Sequence, residues 1–183
     1  MSIGTRRVAA CRAASLLLLG CMAWATTGKA VTGGQTNHVW MTGGRLYSSP
    51  AISANGLIHV GSTNGDVYAF LPNGATQRVW HLPDKAWASP SIGANGTIYV
   101  GCADGNLYAL LPNGATQHVW TTGGRIVDAA AISRDGTIYV GSEDGNCYAF
   151  NPNGTTQRVW AITGYPDILA PALTANGDIC ISD

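Results

Sequence analysis

Charge is scarce in this sequence: Asp, Glu, Lys and Arg together make up only 11% of 183 residues. The ten basic and ten acidic residues cancel overall, but they are unevenly placed. Arg6, Arg7, Arg12 and Lys29 all precede residue 31, so the remainder carries six basic residues against ten acidic ones. An acidic body argues against nucleic acid as a partner, because phosphate backbones are bound by clustered Lys and Arg. The five cysteines form no C-x-x-C pair and no His/Cys cluster, which argues against zinc. No phosphate loop is present, and no Ser/His/Asp or Cys/His arrangement can be built from the sequence alone. The one close pair of carboxylates, Glu143-Asp144, precedes Gly145 in a turn. Helices are nearly excluded after residue 30, since Gly and Pro interrupt every window long enough to form one.

Residues 1–30 read as an export signal of bacterial type, which places the protein in the periplasm, on the outer membrane or outside the cell. Arg6, Arg7 and Arg12 supply the basic region, and Ala13 to Ala25 an apolar stretch centred on Leu16–Leu19. That stretch is shorter than the ~20 apolar residues of a spanning helix. Ala23-Trp24-Ala25 and Gly28-Lys29-Ala30 are two candidate cleavage sites. Leu18-Leu19-Gly20-Cys21 resembles a lipobox, which makes Cys21 a candidate for lipidation; the alternative is an ordinary apolar residue of the leader. Thr5-Arg6-Arg7 is a weak start of a twin-arginine signal. Of the other cysteines, Cys102 and Cys147 fall in repeat slots that suggest small core residues.

The remainder, residues 31–183, is governed by a repeat. Trp40, Trp80, Trp120 and Trp160 recur every 40 residues, and Pro-Asn-Gly recurs at 72–74, 112–114 and 152–154. A period of this length signals stacked supersecondary units. Within one unit the pattern gives four short strands. The first is Ala88–Ile92, followed by a turn at Asn95-Gly96, then Thr97–Gly101 and a turn at Asp104-Gly105. Asn106–Leu110 is the third strand, and after Pro112-Asn113-Gly114 comes Thr116–Trp120. Four antiparallel strands per ~40 residues make a propeller blade. The expected fold is therefore all-β, with blades at about 45–82, 85–122 and 125–162, a partial one at 166–183, and a lone fourth strand at 38–43. Two closures are open: an arc of about three and a half blades, which is the favoured one, or a small ring completed by the N-terminal strand. The repeated Trp is expected to fill the wedge between neighbouring blades, and the repeated Gly residues to serve turns.

Gly96-Thr97-Ile98-Tyr99-Val100-Gly101 with Asp104-Gly105-Asn106-Leu107-Tyr108-Ala109-Leu110 resembles the pyrroloquinoline-quinone (PQQ)-like repeat, as does Gly136–Gly141 with Asp144-Gly145. The resemblance spans residues 36–183. It implies a propeller, which in that family usually has seven or eight blades. It offers two functions: quinoprotein dehydrogenases that use PQQ and calcium, or non-enzymatic scaffolds such as the lipoprotein of the outer-membrane β-barrel assembly machinery. The enzymes typically carry vicinal cysteines and a calcium-binding acidic constellation, and neither is visible here. The expectation is an exported, non-enzymatic scaffold for a protein or surface partner, with no cofactor. The alternatives are a dehydrogenase fragment and a carbohydrate-binding propeller using Tyr47, Trp87 and Tyr165.

In repeat proteins, the segments that vary are the better binding candidates. Here the most variable segment joins one unit to the next, and one of its slots is cationic three times: Arg45, Lys85 and Arg125. With Tyr47 and Trp87 beside them, these residues form a candidate site for an acidic peptide segment or an anionic ligand. The simpler reading is a solvated side chain copied by duplication.

Overall fold

The computed structural model describes residues 38–162, 170–174 and 178–180. The leader with Cys21, and the loop containing Tyr165, lie outside them. The described residues form an arc of β-propeller blades, in three four-stranded antiparallel sheets and one two-stranded sheet.

The first blade holds β1 (Ala51–Ile52), β2 (Ile58–Gly61), β3 (Asp66–Phe70) and β4 (Thr76–His81), hydrogen-bonded in chain order. The second repeats it 40 residues on with β5 (Ser91–Ile92), β6 (Ile98–Gly101), β7 (Asn106–Leu110) and β8 (Thr116–Thr121). The third comprises β9 (Ala131–Ile132), β10 (Ile138–Ser142), β11 (Asn146–Phe150) and β12 (Thr156–Ala161). The pair β13 (Ala172–Leu173) and β14 (Ile179–Cys180) begins a fourth. Strand three pairs with strand four through the same irregularity in each blade, at Ala69/Phe70, Ala109/Leu110 and Ala149/Phe150. Each hairpin turn of the three four-stranded blades carries a glycine at positive φ, such as Gly96 at 82° and Gly105 at 86°, a conformation that costs other residues about 1 kcal/mol or more.

Two expectations need correction. The first strand of a blade has two residues, not the five of Ala88–Ile92; in the second blade Pro90 lacks the N–H that would extend the ladder, and in the third, where Ala130 fills that slot, its carbonyl accepts from Ser91 Oγ of the neighbouring blade instead. Residues 38–43 form no strand. With no sheet edge recorded beside them among the described residues, they are held by side chains: Trp40 Nε1 donates to the Leu71 carbonyl at 3.3 Å, and its ring lies 5.8 Å from Phe70.

The core lies between blades. Trp80, Val67, Ala69 and Leu82 of the first blade pack on Ile98, Val100, Cys102, Tyr108 and Leu110 of the second. Trp120 and Leu107 then pack on Ile138, Val140 and Phe150 of the third. Trp80 and Trp120 are buried, whereas Trp40 and Trp160 at the two ends are half-buried. Cys102 and Cys147 are buried free thiols and Cys180 is an exposed one. Burial pushes the Cys102 thiol up to about 12 and the Cys147 thiol to about 11, which makes both poor nucleophiles.

Candidate functional site

The first strands of successive blades approach one another and so line the inner side of the arc. The Ser49 N–H donates to Ser89 Oγ at 2.8 Å, and Ser91 Oγ donates to the Ala130 carbonyl at 2.6 Å. Each interblade loop must therefore run from the outer fourth strand inward across one face. It is pinned there by the turns between strands two and three. Ala86 N–H bonds the Ser62 carbonyl behind it at 3.1 Å, and the Lys85 carbonyl accepts from Ala103 N–H ahead of it at 3.0 Å. The Arg45 carbonyl accepts from Thr63 N–H at 2.9 Å, and the Arg125 carbonyl from Glu143 N–H at 2.9 Å. The three cationic residues thus occupy one repeated position on one face.

Their side chains do not form a single cluster. Lys85 Nζ stands 4.8 Å from the centre of the Trp87 ring and Arg125 Cζ 5.9 Å from it, so one half-buried indole serves two cations from consecutive loops. Both distances lie within the range of cation–π attraction. Arg45 makes its own pair, with Nη1 3.5 Å from Tyr47 Oη. Arg125 Nε also lies 3.7 Å from Glu143 Oε2. Because Arg125 is exposed and Glu143 only half-buried, that ion pair contributes under about 1 kcal/mol.

The pinning turns bring acidic residues to the same face, which the loop sequences do not reveal. In the second blade Asp104 Oδ2 accepts from Tyr108 Oη at 2.5 Å and Asn106 Nδ2 at 2.9 Å, and Oδ1 accepts from Asn106 N–H at 2.9 Å. Asp144 and Tyr148 repeat this pairing at 2.5 Å. In the first blade the slots are exchanged: Asp66 takes the position of Asn106, and its Oδ2 accepts from Tyr68 Oη at 2.9 Å and Asn64 Nδ2 at 2.6 Å. Asp66 Oδ1 also meets His81 Nδ1 at 2.5 Å. The network reaches the preceding loop, since Gly43 N–H donates to Tyr68 Oη at 2.9 Å and Gly123 N–H to Asp144 Oδ2 at 2.8 Å. The recurring Asp-Gly-Asn-x-Tyr spacing was its only sequence signal.

These carboxylates are therefore occupied by internal donors, while the cations of the face keep most of theirs free. Burial alone would raise the Asp104 and Asp144 carboxyls, but the tyrosine and asparagine donors outweigh it and hold both below the ordinary carboxylate range. A depressed folded-state pKa gives stability that is present above the unfolded value of about 3.9 and is lost as pH falls through the folded value. Thermal melts should accordingly fall as pH drops below about 4. Tyr148→Phe should lose roughly 1 kcal/mol at neutral pH and show a shallower acid dependence. An acid dependence as steep as that of the unaltered protein would refute the role given to the tyrosine.

On the opposite face, His59 takes the slot held by Tyr99 and Tyr139. It is buried, its Nε2 lies 3.1 Å from Ser53 Oγ, and burial pushes its imidazole pKa down. The pair is not arranged for nucleophilic chemistry. Ser53 Oγ also lies 2.6 Å from Asn55 Oδ1, His59 Nδ1 has no partner to orient the ring, and Ser133 makes the same turn bonds in the third blade with no histidine. Among the described residues no three His, Cys, Asp or Glu side chains group as metal ligands.

The arrangement defines the class: a β-propeller arc whose interblade loops and strand-two to strand-three turns build one candidate face. Comparison with solved structures agrees on the fold. The WD40 β-propeller domain of Doa1 superposes with a TM-score of 0.67 at 13% identity, over 74% of this chain and 47% of that one. BamB from Moraxella catarrhalis gives 0.62 at 20% identity, over 74% and 42%. The computationally designed Ika4 protein gives 0.65 at 15% identity, over 81% and 98%. The chain thus spans under half of those two natural proteins' lengths, and at these identities the likeness is one of fold. No family model and no curated protein matches the sequence.

Proposed function

We propose that this chain is an exported, non-enzymatic propeller scaffold of the PQQ-like repeat type, and that it recruits a protein partner through an acidic segment. The observation that carries the reading is the Lys85–Trp87–Arg125 arrangement, in which an indole is flanked by two exposed cations. Trp and Arg are the residues most enriched where binding energy concentrates. Ring and charges come from consecutive loops whose backbones are pinned, so little ordering cost remains for binding. The acidic groups on the face are engaged internally, which leaves donors as the groups on offer to a partner. Resemblance to scaffolds and the leader's character favour a partner at the cell envelope; no cofactor is required.

The test is fluorescence anisotropy of a labelled octapeptide of alternating glycine and glutamate, titrated with the protein at low salt. The triple variant Lys85→Ala, Trp87→Ala, Arg125→Ala should bind at least about tenfold more weakly while melting within a few degrees of the original. Equal affinity in the triple variant, or no binding by the unaltered protein, would reject the assignment.

A further inference from the structure

On the face opposite the cationic loops, the repeat is broken at one junction. A cavity of about 260 Å³ opens between the strand-one to strand-two turns of the first and second blades. Leu57, His59 and Ile98 are its buried lining, and Ser53, Asn55, Asn95 and Pro112 stand around them. Two of the buried residues depart from the repeat: Leu57 replaces Thr97 and Thr137, and His59 replaces Tyr99 and Tyr139. In the second blade the phenol covers its own turn, where a Cβ added at Gly93 would stand 3.2 Å from Tyr99 Cε2. The shorter imidazole of His59 stops at Ser53 Oγ, 3.1 Å away. Ser53 Oγ lies 2.6 Å from Asn55 Oδ1 and 3.2 Å from the Leu57 carbonyl, and neither of these has a proton to give. The serine therefore donates to them and accepts from His59 Nε2–H, which leaves Nδ1 as an acceptor. Nδ1 is buried with no partner among the described residues, which costs stability. A residue that lowers stability against the pattern of its own fold is expected at a functional site.

The chemistry of the cavity selects its occupant. No lining residue is an Asp, Glu, Lys or Arg, and burial holds the His59 imidazole neutral by pushing its pKa down. A charged ligand would lose its hydration there without gaining a counter-charge. At the junction of the second and third blades, the slots of Ala94 and Asn95 are held by Arg134 and Asp135. Leu57, Ile98 and Pro112 supply apolar surface. The side-chain nitrogens of Asn55 and Asn95 are on offer at the rim, since the described hydrogen bonds of both side chains run through Oδ1. An apolar cavity of about 150 Å³ suffices for benzene, so this one has room for a single ring with a polar substituent. The rim turns close on themselves, with Gly56 N–H on the Ser53 carbonyl at 2.8 Å and Gly96 N–H on the Gly93 carbonyl at 2.9 Å, and they offer no strand edge to a peptide backbone. We propose that this cavity binds a small neutral phenol from solution, its ring standing in for the phenol that this blade lacks.

The test is an NMR titration of the full chain with 4-methylphenol, which is the tyrosine side chain as a free molecule. A Kd of about 1 mM or tighter is expected, within reach of so small a ligand. His59→Tyr restores the residue of the other blades; it should keep the melt and weaken binding at least about tenfold. 4-Methylbenzoate, with a carboxylate in place of the hydroxyl, should also bind at least about tenfold more weakly. The Lys85→Ala, Trp87→Ala, Arg125→Ala variant should bind 4-methylphenol as the unaltered protein does, because its changes lie on the other face. Absence of binding, equal binding by His59→Tyr, or loss in the triple variant would overturn the site. 4-Methylbenzoate binding as tightly as 4-methylphenol would overturn its selection for a neutral ligand. A pentapeptide with one central tyrosine among glycines should bind no better than 4-methylphenol; tighter binding would overturn the assignment to a free molecule in favour of a partner's tyrosine.

Discussion

Trp120→Ala should cost about 3–5 kcal/mol, the range for removing a large buried aromatic side chain. Trp120 is 3% exposed and lies in the cluster that joins the second blade to the third. Its ring stacks on Phe150 at 5.5 Å and tilts against Tyr99 at 6.3 Å. Ile126, at the end of the following loop, shares the cluster, so the cavity would open beside the loop that presents Arg125. A domain of this size has roughly 5–15 kcal/mol of stability in all, and the loss would bring the arc close to unfolding. The ends of the arc should respond less. Trp40 and Trp160 are only half-buried, and part of their apolar area is already in water. Urea unfolding of the four single variants would rank Trp120 and Trp80 above Trp40 and Trp160. Equal losses at all four positions would contradict interblade packing as the source of the effect. Trp120→Phe keeps the ring contact with Phe150 and should recover more than half of the loss.

The blade architecture was legible because its signal was repeated. A single hairpin turn such as Asp104-Gly105 is weak information, but its recurrence in register with the tryptophans ties turn, strand and core position together. The same repetition hid the chemistry of the face. Asp104 was readable as a turn residue, and so was Asp144; that each carboxylate also takes a hydrogen bond from a tyrosine four residues later depends on the strand-two to strand-three turn folding back over the third strand. The cationic slot was visible in sequence. Its division into an Arg45–Tyr47 pair and a Lys85–Trp87–Arg125 group was not, because that depends on which neighbouring loop each side chain leans toward.

Glycine gives the sharpest divergence between sequence and structure. Gly56 and Gly61 lie five residues apart, and both fit a turn reading, yet they do different work. Gly56 sits in a hairpin turn at φ 82° with nothing within 4 Å of an added Cβ. Gly61 lies inside β2 without a positive φ, and an added Cβ would run into the backbone carbonyl oxygen of Ala86. That carbonyl belongs to the loop carrying Lys85 and Trp87, whose Ala86 N–H is bonded to Ser62 at 3.1 Å. The strand cannot recede, because Gly61 is paired with Val67 in the ladder and its N–H donates to Ser48 Oγ at 2.9 Å. Gly61→Ala should therefore cost on the order of 3 kcal/mol, the upper part of the range for overpacking. At roughly 2–4 °C per kcal/mol for a chain of this length, the melt should fall by about 10 °C. Gly56→Ala should cost about 1 kcal/mol from backbone conformation alone. The two mechanisms separate in binding as well as in stability: displacing Ala86 moves Lys85 and Trp87, so Gly61→Ala should also weaken the glycine–glutamate peptide well below the melting point, whereas Gly56→Ala should not. A Gly61→Ala protein that is destabilised but binds the peptide at full strength would mean that the loop yields without carrying its side chains along, and the rigidity claimed for the platform would be wrong.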